Sequence, residues 1–214
     1  MDVYLVRHGQ TEANRLHHNQ GPNEPITDRG REQAAATAKW FKDKGVTQII
    51  ASDYVRCQQT AEIIAKECRV EVQTNSLFRE FARPKEVFEY SHYHPKTLWF
   101  VFRALWNRSN PDWQSRGGES LRQIEARAQD AREFLESKYQ KDEVIVVVTH
   151  AVFLEVILRF MCGKGNLLSY IPILSPLSRI RNASVSHCTL FETGSQNTCR
   201  WNIVSENFVP WKRT

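Results

Sequence analysis

Three short apolar runs in this sequence each lead into side chains suited to phosphoryl chemistry. Arg7 and His8 follow residues 3–6, Ser52 and Arg56 follow Gln48–Ala51, and Thr149 and His150 follow residues 144–148. Gly9, Gln10 and Thr11 extend the first segment, with Asn14 shortly beyond. Two arginines supply planar forks of N–H donors that match the oxygens of a phosphoryl group. A neutral imidazole can attack phosphorus and carry the group as phosphohistidine, dividing one hard displacement into two easier ones. A second imidazole can donate to the equatorial oxygens as charge builds up. Glycine allows the main chain to pass close to the anion. Taken singly, a histidine at a strand end is more often structural and an arginine more often solvated. Their joint occurrence after three separate runs is what points to a site. The set still lacks an acid for the leaving oxygen.

The elements that must position these residues alternate between strand and helix. Residues 3–6 read as a strand, and 27–44 as a helix opening at Thr27 or Asp28 and ending at Gly45. Gln48–Ala51 reads as a strand, 54–66 as a helix and 70–73 as a short strand. Leu121, Ile124, Ala128, Ala131, Leu135 and Tyr139 recur at helical spacing. Residues 144–148 are all β-branched, without polar alternation, as in a strand covered on both faces of a parallel sheet. A helix over 151–162 ending at Gly163, and strands over 185–191 and 201–204 with Gly194 in the turn between, complete the pattern. The expected fold class is α/β, a mainly parallel central sheet with helices on both faces. Ligands bind such sheets at the carboxyl ends of the strands, where the residues above fall.

Residues 84–116 interrupt the alternation and read as an inserted helical lobe within one domain spanning 1–214. The aromatics there (Tyr90, Tyr93, Trp99, Phe100, Phe102, Trp106, Trp113) are expected first to pack the lobe. Covering a pocket ranks second and forming a dimer surface third.

The composition, 41% hydrophobic and 25% charged over 214 residues, excludes a disordered, collagen-like or disulfide-dense chain. The longest apolar stretch, 98–106, is broken by Arg103 and falls far short of the roughly 20 residues of a membrane span. A strand-like run begins at once, so no signal peptide is expected. The five cysteines are odd in number and form no C-x-x-C pair, which suits reduced thiols in a cytoplasmic protein better than disulfides or a zinc site. A net charge of +5 is modest. It reads as charge gathered at a pocket, because no basic run interleaved with aromatics lies outside the lobe.

The ordered motifs carry a family resemblance. Arg7-His8-Gly9-Gln10-Thr11 with Asn14 resembles the R-H-G-x-T signature of the histidine phosphatase superfamily, which includes the cofactor-dependent phosphoglycerate mutases. Ile26-Thr27-Asp28-Arg29-Gly30-Arg31-Glu32-Gln33-Ala34 resembles its L-T-x-x-G-x-x-Q-A helix start, and the stretch from Ser52 through Arg56 to Ala61 its S-x-L-x-R-A-x-Q-T-A helix. Gly117-Gly118-Glu119-Ser120, Val148-Thr149-His150 and Asn182-Ala183-Ser184-Val185 resemble later motifs of the family in order.

The resemblance implies that His8 is the nucleophile, that Arg7, Arg56 and His150 form the phosphate pocket, and that Asn14 adds a contact. It also implies an acid/base glutamate soon after the third strand, where Glu80 stands, with Glu86 as the alternative because the usual G-x-W-E-G stretch is replaced by Phe81-Ala82-Arg83-Pro84-Lys85-Glu86. Ala151 follows His150 where the phytase-like branch has Asp. The mutases' E-R-H-Y-G segment is missing, which favours hydrolysis over phosphoryl shuttling. The expected activity is therefore that of a metal-independent phosphatase without a cofactor. A phosphomutase, or a catalytically weak member serving as a binding or scaffold protein, is the alternative. The expected substrate is a small phosphorylated molecule, with a phosphoprotein second; neither nucleic acid nor membrane is expected as a partner, and oligomeric state is left open. His17, His18, His92 and His94 are expected to be solvated loop residues, and His187 structural.

Overall fold

The computed structural model describes residues 1–140, 142–161, 180–191 and 200–211. Six strands form one sheet: β1 (Asp2–Arg7), β2 (Gln48–Ala51), β3 (Val72–Thr74), β4 (Val144–Thr149), β5 (Val185–Leu190) and β6 (Trp201–Phe208). Their order is β3-β2-β4-β1-β5-β6. The first four in that order run parallel, and β5 and β6 are antiparallel additions at one side. The expected α/β class with a mainly parallel sheet is what the chain adopts.

The sequence of β4 explains its place. Ile145 and Val147 pack into one hydrophobic cluster with α5 (Leu121–Lys138) and α6 (Ala151–Met161). Val146 and Val148 face the other way, into a cluster with α2 (Asp28–Phe41) and α3 (Val55–Cys68). Successive side chains of a strand alternate between faces, so a strand covered on both sides needs an unbroken apolar run. The strand pairs with β1 and β2 along its length, and Arg7 lies opposite Thr149. That register brings the ends of β1 and β4 to the same level.

Helix starts follow their caps. The Thr27 side chain accepts from the Gly30 N–H, and Ser120 forms a capping box with Gln123. A short α1 (Glu12–Leu16), not expected from the sequence, rests on a similar box between Thr11 and Asn14. Ends differ from expectation by a few residues. Helix α2 stops at Phe41, ahead of Gly45. Helix α3 runs to Cys68, where Arg69 takes the left-handed conformation at φ 58° instead of a glycine. Strand β3 starts two residues late and β6 extends to Phe208. The expected stops at Cys162 and Gly163, and the turn at Gly194, lie outside the described residues.

Within residues 84–116 the chain forms a 3-10 turn at Lys85–Val87 and α4 (Pro95–Trp106), capped by His94 with Pro95 in the first turn. Thr97, Phe100 and Ala104 form the buried face of α4, and Trp113 packs partly against the core. The packing role expected of the lobe aromatics fails for five of them, Tyr90 and Tyr93 being 36 and 64% exposed. Trp99, Phe102 and Trp106 are 60, 51 and 76% exposed. Their spacing of three and four places them on the opposite face of α4, with ring centroids 5.5 and 6.0 Å apart. Among the described residues, no helix is long and apolar enough to cross a membrane.

Candidate active site

The carboxyl ends of β1, β2 and β4 meet at one rim, and the backbone N–H of His8 donates to the Thr149 carbonyl at 3.0 Å. His8 and His150 are both buried, their ring centroids 5.4 Å apart. In His8, Nδ1 lies 2.8 Å from the Gly9 carbonyl oxygen. A carbonyl can only accept, so Nδ1 carries the proton and Nε2 keeps its lone pair. Burial, then the charges of Arg56 and Arg7, hold the His8 pKa well below the usual imidazole value, partly offset by the Gly9 bond. The imidazole is therefore neutral at neutral pH.

His150 is held neutral in the same way, by burial first and Arg56 second. Its Nε2 lies 2.9 Å from the Ser52 hydroxyl oxygen and 3.4 Å from the Cys57 sulfur. Ser52 comes from the end of β2 and Cys57 from the first turn of α3. Neither had a role assigned from the sequence, although both lie in the motif that supplied Arg56.

The two arginines are anchored at one end and unspent at the other. Arg7 donates through Nη1 to the Ile180 carbonyl, and Arg56 through Nη1 to the Gly21 carbonyl at 2.7 Å. The Nε of each is buried without a hydrogen-bond partner. Burial lowers the Arg7 pKa to about 10, with Glu80 pushing it back up. Asn14 reaches the site through Asn182, whose side-chain amide donates to Asn14 Oδ1 at 2.8 Å and to the His8 carbonyl at 3.1 Å. Asn182 lies in the late motif quoted above, which gave no hint that it would meet His8.

Glu80 and Glu86 part company. Glu80 lines a cavity of about 260 Å³ together with Arg7, Asn14, Arg56 and Tyr54. Glu86 lines a different one, of about 300 Å³, with Val87, Trp99 and Phe100. The Glu80 carboxylate accepts from the backbone N–H groups of Phe81 at 2.9 Å, Phe153 at 3.0 Å and Val152 at 3.4 Å. The segment bearing it is tied down by Arg127, which donates to the carbonyls of Leu77, Arg79 and Glu80. Arg127 in turn forms a two-point ion pair with Glu119, at 2.9 and 2.8 Å. Glu119 had been noted only as part of the motif opening α5, and Arg127 not at all. A charge two turns inside a helix looks like an ordinary solvated residue from sequence.

Gly9 also meets a steric demand within the fold. A methyl group on Gly9 would lie 2.6 Å from the Gly30 carbonyl oxygen, and one on Gly30 would lie 2.3 Å from the Gln10 carbonyl oxygen. The two glycine motifs press backbone against backbone, and that contact demands both. Two further histidines also depart from expectation. His18 and His92 line the cavity. His92 is half-buried with Nδ1 unpartnered, and burial followed by Arg83 brings its pKa down to about 4. His94 caps α4, and His17 is exposed. His187 bonds Asp2 at 2.7 Å and stacks on Tyr4, a structural placement. Among the described residues, no group of His, Cys, Asp or Glu is arranged to hold a metal ion.

Comparison with known proteins places this arrangement. A probable phosphoglycerate mutase of Shigella boydii is 31% identical over 191 residues, 87% of this chain and 83% of that one. A probable phosphoglycerate mutase of Proteus mirabilis is 48% identical over 81 residues, and that match spans only 38% of its length. The structure of a mycobacterial glucosyl-3-phosphoglycerate phosphatase superposes with a TM-score of 0.75 at 23% identity, covering 97% of this chain and 98% of the other. Residues 3–203 match the histidine phosphatase superfamily (branch 1), and the chain belongs to that family.

Proposed function

We propose that this protein is a phosphatase that hydrolyses a phosphomonoester through phosphohistidine at Nε2 of His8. The observation that carries the reading is the His8 tautomer, with Nδ1–H spent on the Gly9 carbonyl and Nε2 unprotonated, in a ring that feels the charges of Arg56 and Arg7. Arg7 and Arg56, with Asn14 beside them, bind the phosphate dianion. Nε2 of His8 attacks phosphorus as the bond to the ester oxygen breaks, and the Glu80 carboxyl gives its proton to that oxygen. Water then attacks phosphorus, yielding a proton to the Glu80 carboxylate while the P–N bond breaks. Phosphate leaves, and His8 and the Glu80 carboxyl are regenerated. His150 donates to the equatorial oxygens during both displacements. The placement of Glu80 in the same cavity as Arg7 and Arg56, with Glu86 elsewhere, supports Glu80 for the proton transfers.

A mutase activity is the second reading, favoured by the names of the 31%-identical relatives. The two separate in one assay set. Hydrolysis of 4-nitrophenyl phosphate in EDTA, acid-labile phosphate on the protein and loss of both in His8→Ala are expected. Isomerisation of a phosphoglycerate that requires a bisphosphate primer, with little net phosphate release, would establish the mutase instead.

A further inference from the structure

Helix α4 turns an apolar face to solvent. Leu98, 51% exposed, joins Trp99, Phe102 and Trp106 there. At about 100° per residue the four fall within an arc of about 100°, opposite Thr97, Phe100 and Ala104, which are buried. Large apolar side chains gathered on one side of a helix mark an interaction surface, whereas scattered ones need no explanation.

The charges around this face are of one sign. Residues 90–111 contain Lys96, Arg103 and Arg108 and neither Asp nor Glu. All three cations are exposed, and none of them is ion-paired among the described residues. Arg103 and Lys96 continue the exposed arc beyond Trp99, within about a further 60°. Arg108 follows the Trp106 end of the helix. Asp112, the next acid along the chain, is engaged by Arg122. Beside the face lies the cavity of about 300 Å³, where Lys96, Arg103 and Arg116 share the lining with a single carboxylate, Glu86.

A second copy of the chain fits this face poorly. A helix of twelve residues is about 18 Å long and about 10 Å across, far less than the roughly 800 Å² that each partner of a stable interface buries. Two-fold pairing would also bring cations against cations. An anionic lipid surface suits both features. Trp, Phe and Leu settle where headgroups meet acyl chains, and Lys and Arg beside them meet lipid phosphates. We propose that α4 is a peripheral membrane anchor, its outer face lying in the headgroup layer of an anionic bilayer. From sequence the aromatics read as packing and no membrane partner is expected; the proposal departs from that because these side chains face solvent. It does not depend on the phosphatase reading.

Co-sedimentation of the full chain with vesicles tests it. Vesicles of equal parts phosphatidylglycerol and phosphatidylcholine are expected to bind about 100-fold more tightly than phosphatidylcholine alone, about fivefold for each of the three cations. Replacing Lys96, Arg103 and Arg108 together by Gln is expected to remove most of that preference. Phe102→Gln combined with Trp106→Gln is expected to weaken binding to the anionic vesicles about 10- to 100-fold. Both side chains are exposed, so the melting temperature should stay that of the wild type. Hydroxyl-radical oxidation of Trp99 and Trp106, read by mass spectrometry, is expected to fall when anionic vesicles are added. Absence of binding, or equal binding to both vesicles, overturns the proposal. So does binding indifferent to the Phe102/Trp106 substitutions, which would be diffuse attraction of a basic protein. Trp99 and Trp106 unreactive in the free protein would show the face covered by the chain itself. A dimer that dissociates in the double variant would assign the face to a second copy; either result also overturns the anchor.

Discussion

The carboxylate of Glu80 accepts a hydrogen bond from the backbone N–H of Phe153, 3.0 Å away in the first turn of α6. Helix α6 begins at Ala151, immediately after His150. One junction between β4 and α6 therefore sets both His150 and the candidate acid. The free N–H groups of a helix start, at the positive end of its dipole, are natural partners for a carboxylate.

Glu80→Gln tests the proton-transfer role directly. Its expected loss in kcat/KM is about 10²- to 10⁴-fold on an alkyl phosphate, whose leaving oxygen needs a proton. On 4-nitrophenyl phosphate, which leaves as a stable anion, the loss should be far smaller. Equal losses on both esters would contradict the role. Glu86→Gln, in the other cavity, should resemble wild type on both.

Arg127 holds the segment that bears Glu80 and does not itself line the cavity. Its guanidinium joins Glu119 to three carbonyls of the Glu80 segment and lies 4.4 Å from the centroid of the Phe153 ring. Arg127→Met leaves Glu119 without its cation, in a region where both side chains are largely buried, and is expected to cost about 3 kcal/mol of stability. Below its melting temperature the variant should lose kcat on alkyl phosphates more than it raises KM. A purely structural role would lower the melting temperature and spare the dependence on leaving group.

The contact between Gly9 and Gly30 makes a steric prediction. Gly30→Ala places a methyl group 2.3 Å from a carbonyl oxygen, a clash with main chain that no rotamer relieves. A loss of about 1–3 kcal/mol or more is expected by thermal or urea unfolding. Gly45→Ala is the control for crowding, since nothing lies within 4 Å of its added methyl; its φ of +66° gives only a backbone penalty.

Three buried or half-buried histidines, His8, His92 and His150, have folded-state pKa values below the ordinary one. As pH falls below about 6.5 the unfolded chain binds protons that the folded chain refuses, so stability declines. It is at its full value above that pH. For His92 the decline runs from about 6.5 down to its folded pKa of about 4. Between pH 7.5 and 4.5 the melting temperature of the wild type should fall further than that of His92→Gln, which lacks this titration. An unchanged difference across the range would refute the assignment.

What the sequence disclosed and what it withheld have separate physical causes. The unbroken apolar run of β4, the helix opening at Thr27 and the helical spacing from Leu121 to Tyr139 are local signals, and they located the sheet centre and two helices. His8, Arg7, Arg56 and His150 were legible because a parallel sheet gathers strand ends. Residues that act by contact across the chain were not. Ser52 meets His150 98 positions away, and Arg127 reaches the Leu77 carbonyl 50 positions away; no spacing encodes either. The exposed face of α4 was misread because aromatic content does not say which side of a helix the core occupies. Boundaries moved where a residue other than glycine closed the helix, as Arg69 does.

The row of Trp99, Phe102 and Trp106 has an optical consequence. Two of the six tryptophans stand in water on one helix, while Trp201 is sealed in the core. Acrylamide should quench the first two readily and the last poorly, giving emission with two separable populations. The red-shifted population is a native fluorophore for the 84–116 region, able to report solvent exclusion there without any introduced label.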